Sequence, residues 1–356
     1  MTTPIDDWLE PIEASARDIG LAAHQVAAVA ARARAIAHDA VLANELGALH
    51  RALVEEPPSE AIARVKARDL PATLGLTAAR ETLLVLALSQ LRAARARHGA
   101  QGVADDISRA TLSDIALWVL HFELQTGAPG ITVEILDWAQ RYLRGDLFRI
   151  GVLQFDLRPF GGPIRAYRHR RDRTLRLTLL DGREIDPRTG DPFADTSTRP
   201  ALESDDAWML VADPSSPILD MHIPAGTKLD ERQVAHAIRD GLAFFAARRP
   251  EITPVGAAGE AWLLDPQMQF LLPKNAGLHA IQADCCLYPS SLPEAKTLRR
   301  LFGPDITREH LPMLPRDRMT SLLRAVVDHL AVPENTLRAR GGLLLREELD
   351  AILARV

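Results

Sequence analysis

The chain has 356 residues, long enough for two or three domains, and 47% of them are apolar, enough to bury sizeable cores. Its 42 basic and 47 acidic side chains leave a net charge of −5, which argues against a nucleic-acid binder or a protein that clings to anionic membranes. Only Lys66, Lys228, Lys274 and Lys296 are lysines, so the cations are nearly all guanidinium. The longest apolar runs, such as Leu83–Leu88, fall far short of the roughly 18 to 20 residues that span a bilayer. The first ten residues are acidic and lack the basic and apolar regions of a signal peptide, so the expected compartment is the cytoplasm. Cys285 and Cys286 are neighbours, which rules out a disulfide framework and the two-residue spacing of a metal or redox motif.

Residues 1–145 read as a helical domain, with apolar residues three and four apart and Gly or Pro confined to ends. Thr77 is expected to cap a helix running through Leu83, Leu84, Leu86 and Leu91 toward Gly99. Thr111 and Asp114 approximate a capping box that opens a helix carrying Ile115, Trp118, Val119 and Phe122, ended by Gly127. Thr132 caps the next, Glu134 suits its positive N-terminus, and Gly145 stops it. Pro57 and Pro58 break the helical run.

From Asp146 the period changes from about 3.6 to 2. Phe148, Ile150 and Val152 alternate in one phase and Leu153, Phe155 and Leu157 in the other, which predicts a bulge or bend near Val152. Residues 174–180 form a strand ending at the turn Asp181-Gly182, and 186–200 a polar loop. Two strands, 208–212 and 218–223, flank Pro214 to Pro217. After Ile223 come a short loop to Leu229, a helix capped by Asp230, a strand over about 255–264, a short helix from Asp265-Pro266, and an extended stretch over 278–287. That alternation predicts an α/β layer with strand ends converging on loops. Helices over 294–302, 319–330 and 346–356 complete an α+β chain of two domains, 1–145 and 146–356.

Four segments carry a resemblance: 147–158 (LFRIGVLQFDLR), 217–230 (PILDMHIPAGTKLD), 260–273 (EAWLLDPQMQFLLP) and 314–330 (LPRDRMTSLLRAVVDHL). Together they resemble a bacterial acyltransferase-domain family that pairs a helical N-terminal domain with a GNAT-like C-terminal domain. The resemblance covers about 70–345 and implies acyl-CoA as donor and a small-molecule or peptide amine as acceptor.

The loop after Ile223 is the first place to look for the donor. Backbone N–H groups of Ile223, Ala225, Gly226, Thr227, Lys228 and Leu229 next to a helix start can form an anion site for a pyrophosphate, and Lys228 adds a charge. GNAT enzymes usually carry Gln or Arg, two residues, Gly, any residue, then Gly or Ala. Here only Gly226 matches, and Pro224 contributes no N–H, so an ordinary strand-to-helix turn is the alternative.

His222 is out of phase with Leu219, Met221 and Ile223, and shares a strand face with Asp220. It is either a general base for the attacking amine or a structural histidine that orients the loop. Glu260 interrupts an apolar strand. By the resemblance, that strand parts from its neighbour to admit the pantetheine arm, and Glu260 is the first choice as base; its other reading is a salt bridge. The resemblance also places Tyr288 where an acid protonates the leaving thiolate. Cysteine chemistry would need a base and a depressed thiol pKa that nothing here supplies, so Cys285 and Cys286 read as structural. The run 165–176 holds six arginines and reads as a solvated hairpin tip or, less simply, as a grip on phosphate or an acidic substrate.

No P-loop, dinucleotide, zincin or nucleophile-elbow motif occurs, and the eleven histidines lack ligand spacing, so no metal is expected. Three readings remain: an N-acyltransferase, a non-catalytic GNAT-like binding or regulatory module that has lost the cofactor site, and another transferase or hydrolase using His222 with Asp220 or Asp265.

Overall fold

The protein is described from a computed structural model over residues 6–194, 202–227, 229–273 and 278–355. It divides into two compact units, Met1–Ile150 with Pro224–Gly226, and Gly151–Ile223 with Thr227–Val356. No helix among the described residues is long and apolar enough to cross a membrane.

The first unit is built on helices around one apolar core that includes Ile12, Ile36, Leu46, Leu53, Leu84 and Ile115. Its helix ends follow local chemistry. Ala40–Glu55 stops before Pro57, and Pro58 opens Pro58–Ala67, where its missing N–H costs nothing. Thr132 accepts from the Ile135 N–H at 3.3 Å, and Gly127 and Gly145 close their helices at φ +80° and +74°.

Two expected caps are not caps. Helix Leu76–Leu88 begins after Gly75, so Thr77 lies inside its first turn, and a separate helix runs over Leu91–Ala100. The break falls where Ser89 Oγ and Gln90 Nε2 both donate to the Leu86 carbonyl, each at 2.9 Å, competing with the backbone ladder. Thr111 sits in the middle of Asp105–Thr126, because the helix starts a turn and a half earlier at an acidic pair, Asp105 and Asp106. Its hydroxyl donates back to the Ile107 carbonyl and accepts from the N–H of Arg149, which lies on the short strand Phe148–Ile150 (β1). Asp114, the expected cap partner, is instead buried against the Arg149 guanidinium at 2.5 Å.

In the second unit the chain turns at Gly151 (φ +59°) into Leu153–Pro159 (β2), which is the bend the change of phase foretells. Ile164–His169 (β3), Leu175–Leu179 (β4), Glu184–Ile185 (β5) and Trp208–Ala212 (β6) follow, then Pro217–His222 (β7), Gly256–Ala261 (β8), Cys286–Pro289 (β9) and Arg340–Leu345 (β10). They make two sheets. One runs β2-β7-β8-β10-β9, antiparallel except for the parallel pair β7 and β8; the other runs β5-β4-β3-β6, antiparallel throughout. Ile218, Ala258, Tyr288, Leu343 and Leu345 of the first sheet share a core with Ile164, Ala166, Leu177, Ile185 and Ala212 of the second. On the other face of the first sheet lies helix Glu231–Arg248, so close that a Cβ at Gly241 would meet Phe155 at 3.1 Å and Leu219 at 3.3 Å.

Residues 278–287 depart from expectation. Leu278–Asp284 is a helix and only Cys286–Pro289 is strand, because Leu278, Ile281 and Cys285 repeat at helical spacing. The segment before the last helix is not a connection but β10, which pairs with both β8 and β9 in the middle of the sheet.

The arginine run divides by position. Arg168 is 5% exposed and donates from Nη2 to both carboxylate oxygens of Glu348 at 2.7 and 2.9 Å, so this part of the hairpin is a buried clamp on the last helix, Arg346–Arg355, and not a solvated tip. Arg173 pairs with Glu347 in the open. Arg168→Leu should therefore lower the unfolding free energy by about 1–3 kcal/mol, since it strips a bidentate partner from Glu348. Arg173→Leu should change it by less than about 0.5 kcal/mol, as exposed pairs do. Urea midpoints of the two variants check the contrast, and equal midpoints would contradict it.

Candidate functional site

The strand period sorts the side chains of β2 and β7 onto two faces. Phe155 and Leu219 go under the helix; Gln154, Asp156 and Arg158 on β2 share the opposite face with Ile218, Asp220 and His222 on β7. Register brings the charges together, since Asp156 stands directly across from Asp220 and Gln154 across from His222. The burial falls along β7: Ile218 is 1% exposed, Asp220 4%, and the His222 side chain 17%. His222 Nε2 lies 3.0 Å from Asp220 Oδ2 and 3.8 Å from Asp156 Oδ1. A guanidinium nitrogen of Arg158 lies 2.5 Å from the same Asp220 oxygen. Two buried carboxylates thus lie beside one guanidinium and one imidazole.

Ligand atoms of Asp156, Asp220 and His222 lie within 4.8 Å of one another, close enough for a divalent cation. The guanidinium already occupies the Asp220 oxygen that such an ion would use. The trio is therefore an ion-pair cluster.

Glu260 is on the same face of β8 as Ala258, two residues beyond the last register point, Asp220 with Ala258. The parallel ladder stops there, although the chains remain close: a Cβ at Gly259 would stand 2.5 Å from the Met221 carbonyl oxygen. Glu260 is exposed, and its carboxylate accepts from the Ser290 hydroxyl at 2.7 Å. Across β10, Gly341 is opposite Glu260 on one side and Tyr288 on the other, so the three form a row. Gly341 has to be glycine, because a Cβ there would overlap the Tyr288 ring. Tyr288 is 2% exposed and edge-on to Phe160, with centroids 5.3 Å apart. Burial, then the charges of Glu260 and Asp220, push its phenol well above the usual range, with Arg158 opposing them. It keeps its proton.

The loop from Ile223 to Leu229 turns through Gly226 at φ +76°. Nothing lies within 4 Å of a Cβ built on Gly226, so the backbone conformation, not crowding, calls for glycine there. Lys228 is outside the described residues. The Thr227 hydroxyl is buried without a hydrogen-bond partner among the described residues. Asp230 accepts from the Gln233 N–H at 3.0 Å and Glu231 follows in the first turn, so the helix's own side chains already answer its positive end. Asp265, the alternative partner considered for His222, instead accepts from Arg338 N at 2.7 Å and Gln267 N at 3.0 Å, which ties it to a turn.

Of the sequence candidates, His222, Glu260 and Tyr288 thus share one sheet face. Asp156, Arg158 and Ser290 were missed. Polar residues at every second position of an otherwise apolar segment, Gln154, Asp156 and Arg158, were the available signal.

Residues 147–344 match the family model described as a GNAT-like C-terminal domain, and residues 10–145 the one described as an N-acyltransferase N-terminal domain. Among solved structures, an acyltransferase in complex with decanoyl-CoA and teicoplanin is similar with a TM-score of 0.65 at 21% identity, over 94% of this chain and 88% of that one. A mutant acyltransferase in complex with octanoyl-CoA gives 0.65 at 20% identity, over 94% and 88%. An acyltransferase in complex with CoA and 10C-Teicoplanin gives 0.61 at 21% identity, over 93% and 86%. At these identities the likeness is one of fold. No curated protein matches the chain in sequence.

Burial pushes the Cys285 thiol up to about 12 and, helped by Glu348, the Cys286 thiol up to about 11. Thiols so placed are not nucleophiles near neutral pH. Alkylation by iodoacetamide at pH 8 should be at least about 100-fold slower in the native protein than in urea, following the lost thiolate fraction. A fast-reacting native thiol would reopen a covalent cysteine route.

Proposed function

Because the chain belongs to the family defined by a GNAT-like C-terminal domain, carried here behind an N-acyltransferase N-terminal domain, we propose that it transfers an acyl group from acyl-CoA to an amine on a small molecule or peptide. The observation that carries this reading is the polar row on one sheet face at the carboxyl ends of parallel strands β7 and β8: His222 backed by Asp220, then Glu260, then the protonated Tyr288. In open α/β sheets, ligands bind off the carboxyl ends of parallel strands.

His222 is the base in this reading. It is flanked by two carboxylates that stabilise the imidazolium it becomes, whereas the Glu260 carboxylate is exposed and engaged by Ser290. Glu260 draws the acceptor's ammonium form toward the row, and solvent takes its extra proton to leave the neutral amine that attacks. The amine nitrogen forms its bond to the thioester carbonyl carbon as its proton passes to His222; the carbon–sulfur bond breaks and the thiolate takes the Tyr288 proton. Positioning of the two substrates supplies much of the rate. Backbone N–H groups of Ala225, Gly226, Thr227 and Leu229, with the buried Thr227 hydroxyl, which has no hydrogen-bond partner among the described residues, are proposed to hold the pyrophosphate. Lys228 belongs to the same proposed cradle. The relatives crystallised with decanoyl-CoA and octanoyl-CoA favour a fatty acyl group over acetyl, and those crystallised with teicoplanin favour a peptide-like acceptor. We place the domain boundary at Gly145, and the reaction in the cytoplasm, a setting that keeps two free thiols reduced.

A second reading has its own support. Asp230 and Glu231 put negative charge where a phosphate would approach, and Pro224 has no N–H to offer, as in a binding module that has lost the cofactor.

A thermal-shift titration with CoA, acetyl-CoA and longer acyl-CoAs separates the two. Ligand at about 100 times Kd adds about 2.7 kcal/mol to stability, a rise of several degrees. A saturable rise that grows with chain length is expected; a folded sample that no thioester stabilises would favour the binding module. His222→Ala should then lower turnover about 10²- to 10⁴-fold while leaving the acyl-CoA shift intact.

A further inference from the structure

We infer that the helical lobe built from residues 262–272 and 290–339 carries the resting face for the acyl chain of the donor, which rests on the reading of the chain as an acyl-CoA-dependent transferase. Register sets the lobe's place. Ala261 of β8 and Pro289 of β9 both pair with Arg340 of β10, so the three stand at one level across the sheet. Strands β8 and β9 are both antiparallel to β10 and so run the same way; the chain leaves the sheet at that level after Ala261 and again after Pro289, and re-enters it at Arg340. Glu260 is the residue before the first departure and Ser290 the residue after the second. The 2.7 Å hydrogen bond between them puts the polar row at the foot of the lobe.

The lobe has its own apolar core. Leu298 and Phe302 of helix Glu294–Phe302, Val326 and Val327 of helix Ser321–Leu330, and Leu337 share it with Met268 from the first excursion. Asp265 accepts from the Arg338 N–H at 2.7 Å and Gln267 Nε2 donates to the Thr336 carbonyl at 3.1 Å, which ties the two excursions together. The outer side is not closed. Segments 268–273 (MQFLLP) and 311–315 (LPMLP) carry no charge, and they hold Phe270 80% and Met313 72% exposed. The short helices Met268–Leu271 and Arg308–Met313 both pack on Ser321–Leu330, and Leu271, Leu314, Leu322 and Leu323 lie half-buried against the same core. Single exposed apolar side chains need no explanation, but two uncharged segments meeting on one helix, with half-open leucines on each, make a patch. Trp262 and Leu263, half-buried on that core, follow Glu260 by two and three residues, so the apolar surface begins where the polar row ends. A hydrocarbon chain turned the other way would have to desolvate the charges of Asp156, Arg158 and Asp220.

Calorimetric titration of the purified protein with CoA, hexanoyl-CoA and decanoyl-CoA reads the contribution of the chain. A methylene moved wholly out of water tightens binding about 4-fold, so on a half-open face the four extra methylenes should make decanoyl-CoA bind about 10-fold tighter than hexanoyl-CoA. Phe270→Glu combined with Met313→Glu, at two exposed positions outside the polar row, should bring that ratio below about 3-fold and leave the affinity for CoA unchanged. A double variant that keeps the wild-type ratio, or a wild type that binds CoA and both thioesters alike, overturns the inference and leaves the transferase reading standing. A folded wild type that binds none of the three overturns that reading and the inference with it. The other occupant of such a face is a second copy of the chain, and a dimer in light scattering that the double variant dissociates overturns the inference too. Should the double variant fail to fold, decanoyl-CoA carrying a diazirine at the far end of its chain decides on the wild type: photolabel within 262–272 or 311–323 is expected, and label confined to other segments overturns the assignment.

Discussion

The site depends on one constraint, the two-residue period of strands β2 and β7. Because alternate side chains point to opposite faces, the sequence that buries Phe155 and Leu219 under helix Glu231–Arg248 must put Asp156, Arg158, Asp220 and His222 on the other face. A slip of one residue in either strand would drive a carboxylate under the helix and a phenylalanine into the charged row. Such a state is far above the native one, because it leaves a charge buried without its partner. The apolar packing on one side therefore specifies the pairing of charges on the other, with no need for the charges to be strong contributors to stability.

Much of this was legible from the order of elements. Strand, loop, Asp230-capped helix and strand follow in the order the pattern predicts, although the second strand ends at Ala261, short of the expected Leu264; Gly127 and Gly145 end their helices as expected, and the chain turns at Gly151, beside the expected bend at Val152. What was not legible has a physical cause. Strand β10 begins Arg-Gly-Gly and continues as three leucines; a fully buried strand has no alternation to read, and two glycines in a row suggest a turn. The glycines are explained only by the neighbours they receive, Tyr288 over Gly341 and Cys285 with Leu264 against Gly342. Thr111 and Asp114 misled for a related reason. Their spacing fits a cap, but both are spent on Arg149, a partner 35 or more residues away that no local window contains.

The charged cluster was half legible. His222 and Asp220 share a face by counting alone, but Asp156 and Arg158 enter only through the pairing of β2 with β7, more than 60 residues apart in sequence. Charge also reads differently once burial is known. Arg168 and Arg173 belong to one basic run, yet one is a buried fork on Glu348 and the other an exposed pair, so a single label for the run describes neither.

Glycine at position 341 links the sheet to the chemistry. In the middle of a strand it costs backbone entropy and packs nothing, so its presence needs a compensating contact. That contact is the Tyr288 ring, which crosses the strand where a side chain would stand and so reaches the field of Glu260 and Asp220. Burial first, and then the charges of Glu260 and Asp220, make Tyr288 hold on to its proton. In the proposed transfer, that phenol gives its proton to the leaving sulfur, and His222, beside Asp220 and Asp156 on the same sheet face, takes the one that leaves the amine.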